Sequence, residues 1–202
     1  MKLCLMRHGA TEGNVQRRYV GRRTNEPLSD QGRAQCATVG ELPQVERVYT
    51  SPLLRARQTA ELCFPGAELV EVPGLEEFDF GAFEGRSARD MEEDEAYRAW
   101  VDGWCKGRCP GGEDRSEFVQ RTATALAGLL TDAAAREERC VVVVAHGGTV
   151  MAALHAFADG SALSDDYFGW GVGCCEGYEC TVSWAGRQLR LESPQRFPKG
   201  AC

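Results

Sequence analysis

Lysine is nearly absent from this chain. It occurs only as Lys2, Lys106 and Lys199, and the other twenty basic residues are arginine. Acidic residues outnumber both together, giving a net charge of −7, which makes nucleic acid or an anionic membrane a poor partner. Histidine is also scarce, with three copies. No apolar run approaches the ~18 residues of a membrane span. The opening residues carry one lysine and a short apolar run that ends at Arg7-His8, which is not the pattern of a secretory signal. The expected location is therefore the cytoplasm.

Cysteine, by contrast, is plentiful at ten copies. Without a secretory signal these read as free thiols rather than disulfides. Cys4, Cys36, Cys63 and Cys140 lie in or beside apolar segments and read as small core residues. Cys105-x3-Cys109 and Cys174-Cys175-x4-Cys180 raise the alternative of structural zinc, but their spacings fit no standard paired knuckle and no histidine is near. No metal or cofactor is expected.

At 202 residues and 43% hydrophobic content, the chain suits one domain with a sizeable core. Strands are expected at Lys2–Met6, Arg47–Thr50, Glu68–Val72 and Cys140–Ala145. Helices are expected from Ser29 as N-cap to Pro43, from Ser51-Pro52 to Phe64, over Ala88–Trp104, over Ser116–Glu138 and over Thr149–Ala158. A hairpin about Ala185-Gly186 closes the pattern, and the tail after Pro194 reads as loose. This alternation predicts a three-layer α/β/α sandwich with a mostly parallel sheet and antiparallel edge strands. Residues 86–112 read as a lid-like insertion.

The chemistry gathers where two strands end. Leu3–Met6 stops at Arg7-His8-Gly9, and Val141–Ala145 stops at His146-Gly147-Gly148. In a parallel sheet, ligands sit beyond the carboxyl ends of the strands. If these two strands are neighbours, His8 and His146 share one ligand. Arg7 adds fixed positive charge, the glycines let a ligand approach the backbone, and the helix after Gly148 favours an anion. The combination suits a phosphate group. A neutral imidazole can attack phosphorus, with neighbouring arginine charge keeping it unprotonated, and a carboxyl group must then protonate the leaving alkoxide. Leu75–Gly81 offers Glu76, Glu77 and Asp79 for that task. Each element also has a plain structural reading: a histidine after a strand is often a hydrogen-bonded loop residue, and these carboxylates can be solvated charges. His155, six residues into a helix, reads as structural.

Together these residues resemble the histidine phosphatase superfamily, also called the phosphoglycerate mutase-like family, over almost the whole chain. Leu5–Asn14 is similar to the family's signature loop. Gly21 with Pro27-Leu28-Ser29, Gly32 and Gln35, then Ser51–Ala60, are similar to the segments that follow it. Glu77–Gly85 resembles the acid loop, Pro110–Glu113 a Pro-Gly-Gly-Glu segment, and Val144–Gly148 the second histidine motif. Position 10 is Ala where the family often has Glu, and position 13 is Gly where an aromatic is common; both departures are expected to widen the pocket or change specificity.

The resemblance implies that His8 is the nucleophile that becomes phosphorylated. It implies that Arg7 and Arg55 clamp the phosphate, that His146 completes the pocket, and that Glu77, preferred over Glu76, donates the proton. Asn14 and the Gly147 backbone N–H add phosphate contacts, with Thr11 and Arg22 at the rim. Arg57, about 200° round the helix from Arg55, faces elsewhere. The acid loop looks like the phosphatase branch that includes alpha-ribazole phosphatase. The implied activity is hydrolysis of a small phosphorylated metabolite through a phosphohistidine. A phosphoglycerate mutase and a silent binding protein on the same fold are the alternatives. The organic part of the substrate would be read by the lid and by the loop around Tyr167–Trp170.

Overall fold

The computed structural model describes residues 1–158 and 166–197. Six strands form one sheet in the order β3-β2-β4-β1-β5-β6: β1 (Lys2–Arg7), β2 (Arg47–Thr50), β3 (Glu68–Glu71), β4 (Cys140–Ala145), β5 (Gly177–Ala185) and β6 (Gln188–Phe197). The four strands β3, β2, β4 and β1 run parallel, and β5 and β6 add to the β1 edge antiparallel. This is the expected α/β sheet with antiparallel strands at one side.

β1 and β4 are buried on both faces, so their sequences are continuous apolar runs rather than alternating ones. Successive side chains still point to opposite layers. Leu3, Leu5, Val141 and Val143 pack with Leu126, Leu130 and Leu154 of α5 (Arg115–Ala135) and α6 (Gly147–Phe157). Cys4, Met6, Val142 and Val144 pack with Cys36, Ala56 and Ala60 of α2 (Asp30–Ala37) and α3 (Leu54–Cys63). A third cluster joins Phe78, Phe83 and Phe118 to Met91, Tyr97, Trp100 and Cys109 from the segment 86–112.

Several expected boundaries shift for local reasons. α2 starts on its Ser29 cap as expected, but ends at Ala37, well short of Pro43. α3 begins at Leu54, two residues after Pro52, because Asn25 Oδ1 accepts the Leu54 N–H at 2.7 Å and caps the helix from another loop. Ala88–Trp104 is not one helix. A 3-10 turn at Arg89–Met91 is followed by α4 (Glu95–Asp102), which starts where Asp94 accepts from the Ala96 and Tyr97 N–H groups. The tail after Pro194 is not loose up to Phe197. It continues β6, and Phe197 is buried against Gly177, where a β-carbon would strike its ring. Pro194 is tolerated because β6 is an edge strand with a register shift nearby.

Of the four cysteines assigned to the core, Cys4 and Cys36 are buried, whereas Cys63 and Cys140 are half-buried; Cys109, Cys175 and Cys180 are the further buried thiols. Among the described residues nine cysteines are free, and no group of three or more His, Cys, Asp or Glu is arranged to hold a metal. No helix among the described residues is long and apolar enough to cross a membrane.

Candidate active site

The site is set by register. β1 and β4 are adjacent and parallel with Arg7 opposite Ala145, so His8 and His146 leave the sheet side by side. Their ring centroids are 5.1 Å apart, with 3% of His8 and none of His146 exposed.

The hydrogen bonds fix the state of each ring. His8 Nδ1 lies 2.6 Å from the Gly9 carbonyl oxygen. A carbonyl only accepts, so Nδ1 carries the proton and Nε2 holds the lone pair. That lone pair accepts from Arg55 Nε at 3.1 Å. Arg55 is itself fully buried, held by the carbonyl oxygens of Thr24 at 2.6 Å and Gly21 at 3.0 Å. Burial, then the charges of Arg55 and Arg7, hold the His8 pKa well below the usual imidazole range. Burial therefore leads, with the arginine charges second. His146 is lowered for the same first reason, followed by Arg55. Burial also pulls Arg55 down to about 10, still charged at neutral pH.

Two buried polar atoms at this site have no partner among the described residues: Arg7 Nε and His146 Nδ1. Such atoms are costly unless a ligand satisfies them. Arg7 is anchored at its far end, where Nη1 donates to the Val172 carbonyl at 2.8 Å, and Gly147 lies against its Nε. His146 Nε2 is 2.7 Å from Ser51 Oγ. His146 is also the N-cap residue of α6, so the positive end of that helix faces the same point.

Of the three candidate acids, only Glu77 belongs to this site. It is 8% exposed, and accepts from the N–H of Phe78 at 2.8 Å and of Gly148 at 3.0 Å. Burial raises its pKa above the ordinary carboxyl range, against the lowering effect of those bonds. Glu76 is spent on the Gly74 N–H, Arg121 and Arg22, and Asp79 on Arg23 and the Gly81 N–H. A β-carbon on Gly148 would run into Glu77 Oε1. Gly148→Ala is therefore expected to displace the Glu77 carboxyl and to lower kcat by about 10²-fold with little change in thermal midpoint, the cost of about 1 Å of misplacement in an active site; near-normal turnover would show that turnover does not depend on this contact.

The rim differs from expectation. Thr11 is fully buried and caps α1 (Glu12–Val15), its hydroxyl accepting the Asn14 N–H while Asn14 Oδ1 accepts the Thr11 N–H. Asn14 uses its Oδ1 and backbone N–H in that cap and lines a small pocket with Arg7, whereas Thr11 serves the cap alone. Arg22 pairs with Glu76 at 3.7 Å. Arg57 points away, pairing with Glu71 at 3.1 Å, as expected. His155 is exposed, edge-on to Tyr167. Ala10 and Gly13 do not widen the cavity. Ala10 is buried against Ser29 and Gln35, and Val20 and Glu26 fill the space beside Gly13.

Sequence reasoning missed four supports. Ser51 orients His146. Thr59 accepts from the Gly9 N–H and donates to the Arg55 carbonyl, tying the His8 loop to the α3 arginine. Arg121 donates to the carbonyls of Gly74, Glu76 and Glu77, and Glu113 accepts from Arg121 and from the Asp79 N–H. The Pro-Gly-Gly-Glu motif contained that last signal, since its glutamate braces the acid loop.

Outward from this floor lies a cavity of about 390 Å³, walled by Tyr19, Phe78, Phe80 and Trp100 and by Tyr167 and Phe168 with the Arg115 guanidinium over their rings, and reaching Arg7 and Glu77. Nitrogen donors thus gather at the bottom of this cavity, with aromatic rings and Arg115 above them. Residues 3–183 match the histidine phosphatase superfamily (branch 1), and the chain belongs to that family. It is 32% identical over 191 residues to an adenosylcobalamin/alpha-ribazole phosphatase of Salmonella typhimurium, covering 88% of this chain and 93% of that one. Its fold superposes on an alpha-ribazole phosphatase from Shigella flexneri with a TM-score of 0.75 at 26% identity, over 95% of this chain and 94% of the other. A phosphoglycerate mutase from Thermus thermophilus gives a TM-score of 0.67 at 32% identity, over 96% and 98%. The chain is a phosphatase enzyme of this superfamily.

Proposed function

We propose that this chain hydrolyses a small phosphomonoester in two steps at His8. Nε2 attacks phosphorus and the ester P–O bond breaks. Glu77 gives its proton to the departing alkoxide. Water then attacks the phosphohistidine, the P–N bond breaks, and Glu77 takes the proton back. Arg7, Arg55, the free Nδ1 side of His146, the Asn14 amide and the α6 N-terminus at Gly147 meet the equatorial oxygens, whose charge grows in the transition state. The phosphoryl group takes over the Arg55 donor that otherwise bonds Nε2. Nδ1–H stays bonded to the Gly9 carbonyl and stabilises the positive imidazole ring.

The observation that carries this reading is the hydrogen-bond pattern at His8. Its Nδ1 faces the Gly9 carbonyl and its Nε2 accepts from Arg55, with the unpartnered Arg7 Nε and His146 Nδ1 and the buried Glu77 carboxyl in the same site. Residues 86–112 act as a lid-like insertion of a single domain; their support is the third apolar cluster, which closes over the acid loop. The aromatic walls suit a leaving group with an aromatic or other apolar body, as in an alpha-ribazole phosphate, and Arg115, over the Tyr167 and Phe168 rings, adds a cation for a polar or anionic part of it. The free thiols fit the cytoplasm. Mutase activity is the second reading, favoured by the likeness to the Thermus protein.

The deciding experiment compares phosphate release from alpha-ribazole 5′-phosphate and an aryl phosphate with interconversion of phosphoglycerates, all in EDTA. Phosphate release is expected to dominate and to be unaffected by the chelator, because arginine and histidine supply the positive charge. Mutase turnover above phosphate release would reverse the assignment, and activity restored only by a divalent ion would contradict the mechanism.

A further inference from the structure

Two buried thiols from distant parts of the chain meet beside the His8 loop. Cys36 on α2 and Cys175 in the turn before β5 are 5% and 4% exposed, and their sulfur atoms are 3.7 Å apart. Both contact the segment that positions the nucleophile. The Cys175 N–H is shared between the carbonyl oxygens of Arg7 at 3.2 Å and His8 at 3.3 Å. Cys36 Sγ lies against Gly9, within 3.2 Å of where a β-carbon there would stand. Neither sulfur takes part in the proposed phosphoryl chemistry.

We propose that Cys36 and Cys175 are an oxidation-sensitive pair, converted by a peroxide into a disulfide that slows turnover by pulling on residues 7–9. A groove of about 710 Å³, lined by Cys36 and Cys63, gives a small peroxide its route to Cys36. Each sulfur is within hydrogen-bond reach of the other and can donate to it, and Cys36, which lines the groove, is the one whose thiolate a peroxide meets first. That thiolate attacks one peroxide oxygen and the O–O bond breaks. A sulfenic acid forms, and hydroxide leaves as water after taking a proton. The Cys175 sulfur then displaces the sulfenic oxygen as a second water, its own thiol proton going to that oxygen. Two thiols lose two electrons and one peroxide gains them. The crosslink spans 139 positions and joins α2 to the β5 turn across the nucleophile loop. In a reducing compartment it is transient, reversed by a dithiol reductant.

The test treats the whole reduced protein with hydrogen peroxide, then alkylates and maps the thiols, and measures kcat on an aryl phosphate before and after dithiothreitol. The expected result is loss of two thiols, a mapped Cys36–Cys175 bridge, and kcat lowered about tenfold or more, in line with the cost of sub-ångström to 1 Å displacement at reacting groups, all restored by the reductant. Cys175→Ser, with Cys175→Ala as the alternative if serine destabilises, is expected to abolish the loss, and Cys63→Ser to retain it. A Cys36–Cys63 bridge, oxidation confined to other cysteines, or an intact kcat with the bridge formed would each overturn the proposal. Thiol counting and mapping read the bridge whatever the substrate proves to be, so their failure is distinct from failure of the phosphatase mechanism.

Discussion

His8→Ala is expected to lower turnover by about 10⁴-fold or more while leaving the protein folded. At about 1.36 kcal/mol per factor of ten, that is a loss of roughly 5.4 kcal/mol of transition-state stabilisation. The size follows from what remains. Without the imidazole no covalent route exists, and water would have to attack a phosphate whose clamps are shaped for attack by Nε2. Arg7, Arg55 and His146 would still bind the anion, so affinity should change far less than kcat. The ring also accepts from Arg55 Nε, and its loss leaves that buried donor unpaired. His8→Asn is therefore the companion variant, keeping a polar group there without a nucleophile of comparable power. Either variant retaining a tenth of normal turnover would remove the phosphohistidine route.

Glu77→Gln is the second large effect, and its signature is selective. On an alkyl phosphate, kcat/KM should fall by about 10²- to 10⁴-fold, because the leaving alkoxide no longer receives a proton. On p-nitrophenyl phosphate kcat/KM should fall much less, since nitrophenolate departs unprotonated. Its kcat should still drop, as water no longer has a base in the second step, so the phosphoenzyme accumulates. An equal loss of kcat/KM on both esters would assign Glu77 a merely structural role.

The pH dependence has a definite sign. The Glu77 pKa is raised, so the acid stays protonated above the ordinary carboxyl range and is lost as pH rises through its folded value. The His8 pKa is lowered, so the nucleophile stays neutral as pH falls through the ordinary imidazole value. The profile for alkyl esters should thus lose rate on the alkaline side, and Glu77→Gln should lack that limb. Ionisation of the substrate phosphate is common to both proteins and cancels in the comparison.

The strands that place the histidines were legible because burial on both faces leaves an unbroken apolar run, as in Val141–Val144, that ends abruptly at a polar residue. The family resemblance then supplied Arg55 and Glu77, which no local pattern distinguishes from neighbouring arginines and carboxylates. What stayed hidden depends on contacts between distant segments. Asn25 caps a helix that begins 29 positions later, so Pro52 misled the boundary. The resemblance places Thr11 at the rim, and its cap partnership with Asn14 is invisible until the backbone turns. The empty space suggested by Gly13 is filled by Val20 and Glu26. Phe197 joins the sheet because Gly177 leaves room for its ring, a pairing 20 residues apart.

The most direct measurement is rapid acid-free quench of the enzyme during turnover, followed by peptide mass spectrometry and ³¹P NMR. One phosphoryl group is expected on Nε2 of His8, stable to base, labile to acid, and accumulating in Glu77→Gln. A phosphoryl group on any other side chain, or turnover with none on His8 in that variant, would contradict the phosphohistidine route.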